Sequence, residues 1–143
     1  MAEYSNNAVQ TVAVSTAAIF NDSIPCNRGF VYHRDESGIL ILRGIVNNPT
    51  SCFARYTVTY NGNISIPEGQ TVGPIQLAIA IDGEQLQTST AIVTPTVVDS
   101  YFNVTVTAII DVPRNCCLNC SIENTSTIPI NVSNSNLTVS RTA

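Results

Sequence analysis

Five cysteines are the residues of this sequence best suited to chemistry, and three of them are closely spaced. Cys116, Cys117 and Cys120 form a C-C-x-x-C run, while Cys26 and Cys52 stand alone. Zinc takes four ligands, usually from two spaced pairs, and no second C-x-x-C occurs. The run therefore predicts no metal site. At least one disulfide or interchain crosslink and five reduced, half-buried thiols remain as alternatives.

The other polar residues form no catalytic constellation. His33 is the single histidine and precedes Arg34 and Asp35, but the glycine-rich loop and helical lobe of a kinase are missing. No G-x-S-x-G context supports a nucleophilic serine. Asp35 and Glu36 are typical of a solvated turn, although a loop calcium site would use similar oxygens. We therefore predict no catalytic residue, no cofactor and no enzymatic activity.

Composition narrows the class of partner. The 143 residues carry a formal net charge of -4, include no lysine, and are 44% apolar but only 11% charged. Nucleic acid requires a basic footprint, so we expect no nucleic-acid partner. A neutral surface rich in Thr, Asn and Ser has little charge to keep copies apart, which predicts contacts with other protein chains.

The sequence shows no membrane or export signal. Residues 1–10 are polar, contain no basic residue and are not followed by the apolar run of a signal peptide. No stretch approaches the roughly 20 apolar residues of a membrane helix. We therefore expect synthesis in the cytosol and no membrane partner.

Alternation of apolar and polar residues predicts the elements that position these side chains. It is clearest in Tyr101–Val112, where Phe102 and every second residue to Val112 share one face. This period of two predicts a long strand with that face, including Phe102, in a core. The other face is polar and nearly uncharged, and we expect it to be covered by a neighbouring subunit.

The whole chain repeats this pattern in about ten short strands separated by turn signals. Asn61-Gly62 and Asp82-Gly83 are the strongest turn dipeptides. The pattern predicts an all-β jelly-roll sandwich, with a single domain over residues 16–143. Residues 1–15 are predicted to be an N-terminal arm or a first strand.

Three motifs add a family resemblance. They are the strand Tyr56-x-Val58-x-Tyr60 before the Asn-Gly pair, the L-A-I-x-I-D-G hairpin of Leu77–Gly83, and the N-x-x-L-x-V strand of Asn134–Val139. Together they resemble the tumour-necrosis-factor-like and complement-globular-head-like jelly-roll superfamily, particularly its bacterial and phage members. The resemblance spans Gly29 to Ala143. It implies a trimeric sandwich without catalysis, in which Tyr101–Val112 is a central strand.

The resemblance also implies a subunit interface, for which we single out Tyr56, Tyr60, Tyr101, Asn103 and Thr105. Ordinary sheet packing is the alternative role of the tyrosines. No collagen-like stalk precedes the head, which favours a stand-alone protein bound to a particle.

We therefore expect a homotrimeric structural protein that decorates a bacteriophage capsid and is located on the virion surface. Its partners would be its own copies and a capsid or surface-layer protein. One alternative is a head on a bacterial cell, a spore or a tail fibre that binds glycan or protein through its loops. Another is an extracellular fibre subunit that polymerises through its N-terminal strand.

Overall fold

A computed structural model describes residues 2–24, 31–33, 36–44, 52–114 and 117–142. Over these residues the chain forms eleven β-strands and no helix. Within the same ranges, nothing has the length and apolar character of a membrane-spanning helix. The strands are β1 (Ala2–Asn6), β2 (Gln10–Val12), β3 (Asp22–Ile24), β4 (Val31–His33), β5 (Leu40–Arg43), β6 (Phe53–Ser65), β7 (Ile75–Ile81), β8 (Glu84–Val93), β9 (Phe102–Pro113), β10 (Cys117–Asn124) and β11 (Ile130–Arg141).

The strands form two antiparallel sheets that enclose a shared core. The six-stranded sheet has the order β3-β1-β11-β6-β9, with β2 also paired to β11, and the five-stranded sheet has the order β4-β5-β10-β7-β8. The edge strands β8 and β9 meet along one flank, where Ser89 Oγ donates a hydrogen bond to the Thr107 carbonyl (3.0 Å). This architecture confirms the predicted all-β jelly roll.

The period-two pattern determines which side chains enter the core. In β9, Val104, Val106, Ala108, Ile110 and Val112 are buried, and the residues between them are exposed. Alternation in β6, β7 and β11 buries one apolar face of each strand in the same way. The hydrophobic effect is therefore the main force that holds the two sheets together.

The position of β9 differs from the sequence-based expectation. The strand lies at the edge of the six-stranded sheet rather than at its centre. Phe102 was predicted to lie in the core, but it is 40% exposed. As the first residue of an edge strand it has a strand neighbour on one side only, opposite Ile64 of β6. Alternation identifies the buried face of a strand but does not give the strand's place in the sheet.

The predicted turn at Asn61-Gly62 is also absent, because both residues lie within the continuous strand β6. Gly62 faces the core beneath the ring of Tyr60, where an added Cβ would lie 2.9 Å from Tyr60 Cζ and closer still to its hydroxyl oxygen. Glycine is needed here for space rather than for a positive φ. By contrast, Asp82 and Gly83 have φ values of 52° and 83° and form the predicted hairpin turn.

The first residues belong to the sheet. Strand β1 lies between β3 and β11, and its residues Ala2 and Tyr4 are buried. The Tyr4 ring packs against the His33 ring with their centroids 4.7 Å apart. Within residues 2–15, Ala2–Asn6 and Gln10–Val12 are strands of the six-stranded sheet.

Candidate interaction surface

The outer face of the six-stranded sheet carries mainly short, neutral polar side chains. Strand register places them in rows that run across β11, β6 and β9. One row contains Thr138, Thr59 and Thr107, and the next contains Asn136, Asn61 and Thr105. We call this surface, over strands β11, β6 and β9, the neutral face.

Side-chain amides are connected across the neutral face. Asn103 Nδ2 donates to Asn61 Oδ1 (2.9 Å) and to Asn63 Oδ1 (3.2 Å), and Thr105 Oγ1 donates to Asn61 Oδ1 (3.2 Å). Asn63 Nδ2 donates in turn to Asn134 Oδ1 (3.2 Å). Neighbours hold these groups in place, so a partner can bind them at a smaller entropic cost than it would free side chains.

An ion pair lies at the corner of this face where β6 begins. Arg55 donates to both carboxylate oxygens of Asp111, at 2.8 Å and 3.1 Å, and its guanidinium lies 4.9 Å from the centre of the Phe53 ring. The hydrogen bonds and the attraction between the two charges raise the pKa of Arg55 and lower the pKa of Asp111. The two charges of this pair therefore offset each other.

The neutral face ends at the edge of β9, which pairs with no further strand and where the Thr107 carbonyl accepts a hydrogen bond from Ser89 of β8. Ile109 points outward from this strand and is 69% exposed. Proteins usually protect edge strands with charged residues, prolines or bulges. Over its twelve residues β9 has one charged residue, Asp111, which is paired with Arg55, and one proline, which is at its end.

A groove opens beside this edge, where the β7–β8 hairpin meets β9. Its volume is about 590 Å³, and Leu118 and Ile109 contribute apolar surface to it. The carboxylates of Asp82 and Glu84 and the amide of Gln87 provide polar groups. The loops at residues 67–73 and 94–100, two of the three that the sequence suggests for ligand binding, do not contribute to this lining. Most of the third, at residues 47–52, lies outside the described residues.

The structure divides the five predicted interface residues into two groups. Tyr101, Asn103 and Thr105 are exposed at or beside the neutral face. Tyr56 and Tyr60 are fully buried inside the chain, so their assignment to a subunit interface is wrong. The two-residue spacing that they share with Val58 places both side chains on the core face of β6, which is the packing role given above as the alternative.

Hydrogen bonds satisfy both buried hydroxyls. Tyr56 Oη donates to the Arg43 carbonyl on the opposite sheet (2.5 Å). Tyr60 Oη lies 2.9 Å from Ser135 Oγ. Burial raises the pKa of Tyr60 to about 12, and the Ser135 hydrogen bond acts in the opposite direction.

The described cysteines provide no evidence for a crosslink or a metal centre. Cys52 and Cys117 are exposed, Cys120 is buried, and no two of the three form a disulfide. Cys26 and Cys116 lie outside the described residues. Among the residues that are described, no three His, Cys, Asp or Glu side chains come together as a metal site. Burial raises the pKa of Cys120 to about 12, which makes its thiol a poor nucleophile.

Two parts of this surface had only weak sequence signals. Ile109 interrupts the polar positions of β9, which is the signal that could have identified it as an exposed apolar residue. The contact between Asn63 and Asn134 depends on an irregularity in the β11–β6 pairing, where Asn134 has a φ of 52°. Local alternation gives no indication of such a bulge.

Comparison with solved structures identifies the architecture. The globular domain of the zebrafish complement 1qA protein aligns with a TM-score of 0.50 and 12% identity, over 96% of this chain and 94% of that one. The chain has a complement 1q-like fold. This finding supports the resemblance seen in the sequence at the level of fold. Membership of a bacterial or phage group remains a prediction.

Two further structures align less well. The C-terminal domain of EclA, a sugar-binding protein, has a TM-score of 0.40 and 12% identity, over 94% of this chain and 80% of that one. A GH26-CBM35 β-(1,4)-mannanase from Podospora anserina has a TM-score of 0.31 and 12% identity, over 96% of this chain and 29% of that one. No protein-family model matches the sequence, and comparison with curated proteins gives no match.

Proposed function

We propose that this complement 1q-like head is a non-enzymatic structural protein that forms a homotrimer and decorates a particle. The observation that carries the proposal is the neutral face, which ends at the edge strand β9 beside exposed Ile109. In the trimer, the face of one copy would receive the β8–β9 flank of the next copy. Particle binding would then depend on surfaces outside this interface.

The composition of the neutral face supports burial against protein. Its Thr and Asn side chains have no charge to desolvate, and the Arg55–Asp111 pair is already neutralised at the corner. A stable interface of ordinary size buries on the order of 800 Å² per partner. Exposed Ile109 would be an apolar contact where the face of one copy meets the flank of the next, and a few well-packed contacts usually carry most of the interface energy.

The trimer is tested by placing a charge on the exposed apolar residue of β9. Ile109→Arg would bury an unpaired cation in the interface, so the trimer should dissociate into folded monomers. Light scattering coupled to size-exclusion chromatography measures the mass, and far-UV circular dichroism reports the fold.

Ile39→Arg is the matched control. Ile39 is 49% exposed beside the five-stranded sheet, away from the neutral face. We expect the Ile39→Arg protein to remain trimeric. The proposed interface would be refuted if Ile109→Arg stayed trimeric or if both variants dissociated equally.

The particle that we propose is a bacteriophage capsid, which would place the protein on the virion surface. Quantitative mass spectrometry of purified virions and of cell-surface and spore-surface fractions from one culture tests this part. The protein should be enriched in virions at a fixed ratio to the major capsid protein. Enrichment in a cell or spore fraction instead would contradict it.

Ligand recognition is the second candidate, and the groove beside β9 favours it. Carboxylates and amides such as Glu84 and Gln87 can bind the hydroxyl groups of a glycan. Screening the protein against a glycan panel, with Glu84→Gln/Gln87→Ala as the variant, tests this function. Binding that the double substitution abolishes would support it, whereas no binding, or equal binding by both proteins, would reject it.

A further inference from the structure

Every arginine that the structure describes lies at one end of the sandwich, close to the start of β6. The Thr142 amide donates to the Arg55 carbonyl (2.8 Å), which brings Arg141 beside β6. The Arg114 amide donates to the Cys52 carbonyl (3.2 Å). The Arg43 carbonyl accepts the hydrogen bond from Tyr56 across the core. We call the end formed by Arg43, Arg55, Arg114 and Arg141 the arginine end.

The opposite end is acidic. It consists of the loop between β6 and β7 and the loop between β8 and β9, which are joined by a hydrogen bond from the Asp99 amide to the Ile66 carbonyl (2.9 Å). Glu68 and Asp99 are exposed in these loops. The sequence contains no Lys, Arg or His from position 57 to position 113. We call this the acidic end, and the length of β6 separates it from the arginine end by about 40 Å.

Both ends also expose apolar or aromatic side chains. Val72, Val97 and Tyr101 are exposed at the acidic end, and Phe53 is exposed at the arginine end. Guanidinium groups stack on aromatic rings, as Arg55 already does on Phe53. Tyr101 at the acidic end therefore offers a second ring to an incoming arginine.

Three carboxylates also lie near the arginine end. One is paired with an arginine, and the other two lie on a hairpin set apart from Arg43. Asp111 is paired with Arg55. Asp82 Oδ1 accepts a hydrogen bond from the Asn119 amide (2.9 Å). Asp82 and Glu84 belong to the β7–β8 hairpin at the far corner of the five-stranded sheet, and β10 separates that hairpin from β5, which ends at Arg43.

We propose that heads stack end to end, with the arginine end of one copy on the acidic end of the next. The contact joins unlike surfaces, so it does not close on itself and builds a linear array. Stacking goes beyond the proposed trimer, because it uses the two ends of the sandwich and leaves the neutral face free. In a trimer, three such contacts would act together and strengthen one another.

Sedimentation velocity of the intact protein, over a range of concentrations and at low and high salt, tests the proposal. Arg43→Glu/Arg141→Glu makes both ends acidic, and Glu68→Arg/Asp99→Arg makes both ends basic. Each variant should lose the larger assemblies that the unmodified protein forms at low salt, with the Kd raised at least about tenfold. An equal mixture of the two variants should regain them, because each then meets a complementary end.

Glu36→Arg controls for net charge, since Glu36 lies in the turn between β4 and β5 and belongs to neither end. This variant should stack like the unmodified protein. Ile109→Arg should lose the trimer yet keep salt-sensitive stacking, so the failure of one proposal is distinguishable from the failure of the other. Stacking is overturned if the unmodified protein shows no salt-sensitive association, or if the mixture of variants does not recover it.

Discussion

Tyr60 and Gly62 of β6 share one region of the core. Tyr60 extends along its own strand over Gly62 and reaches Ser135, and the absence of a Cβ at position 62 leaves room for its ring. An aromatic residue that covers a strand glycine compensates for the packing the glycine lacks. The pair therefore acts as one packing unit.

Gly62→Ala should destabilise the protein by about 1–3 kcal/mol, because the new methyl group overlaps Tyr60 and overpacks the core. Urea denaturation measures the free energy of unfolding. Gly73→Ala is the control, because a Cβ at Gly73 would have no atom within 4 Å. Equal stability of the two variants would show that Tyr60 does not need the space.

Tyr60 should also make stability depend on alkaline pH. Tyrosine in the unfolded chain ionises near pH 10, whereas the buried phenol has a pKa of about 12. As the pH rises through this window the unfolded state loses its proton first, so the free energy of unfolding should fall, by on the order of 2 kcal/mol. Unfolding measured on both sides of pH 10 should show a smaller fall for Tyr60→Phe. The same fall in both proteins would contradict the burial of Tyr60.

Cysteine reactivity should separate the exposed and buried thiols. A maleimide should modify Cys52 in the native protein within minutes and should modify Cys120 only after unfolding, because Cys120 is buried with a raised pKa. Peptide mapping by mass spectrometry identifies the modified positions. Modification of Cys120 as fast as Cys52 in the native protein would be inconsistent with this structure.

At the scale of elements, β1 is an interior strand of the six-stranded sheet. It contributes buried Tyr4 and separates β3 from β11. Tyr4→Ala should therefore destabilise the protein by about 3–5 kcal/mol, as expected for truncation of a buried aromatic residue.

Tyr32→Ala is the matched control for Tyr4→Ala. Tyr32 is exposed on β4, and its truncation should change the free energy of unfolding by less than about 0.5 kcal/mol. Thermal and urea unfolding of the two variants compare their stability. If Tyr4→Ala were as mild as the control, β1 would behave as an arm in solution.

The sequence predicted individual elements better than their arrangement. Alternation located β9 to within one residue at each end, and Asp82-Gly83 identified the turn between β7 and β8. Both signals are local in the sequence. The edge position of β9 and the burial of Tyr56 and Tyr60 depend on which strands pair and which face the second sheet covers. Those features are set by tertiary contacts that a period of two does not encode.

The candidate surface also combines residues that the local sequence predicts with residues that only strand pairing brings together. Asn103 and Thr105 were selected because they lie on the polar face of a strand, and they belong to a connected amide network. Asn63 and Asn134 join that network only through the strand pairing, and 71 positions separate them in the chain. The arginine end is likewise assembled from four separate strand ends and turns.

At the scale of the molecule, one sandwich carries two kinds of surface. The neutral face lies along the strands and is suited to lateral assembly. The ends differ in charge and are suited to stacking. A trimer placed on a particle would use the first surface to form and would leave both ends exposed.

The oligomeric mass of the unmodified protein tests the central claim most directly. Sedimentation equilibrium in the presence of reductant and at high salt removes crosslinks and end contacts, so that only the neutral-face interface remains. The account predicts a single species of three times the 15.3 kDa chain mass. A monomer of 15.3 kDa at all concentrations would contradict it.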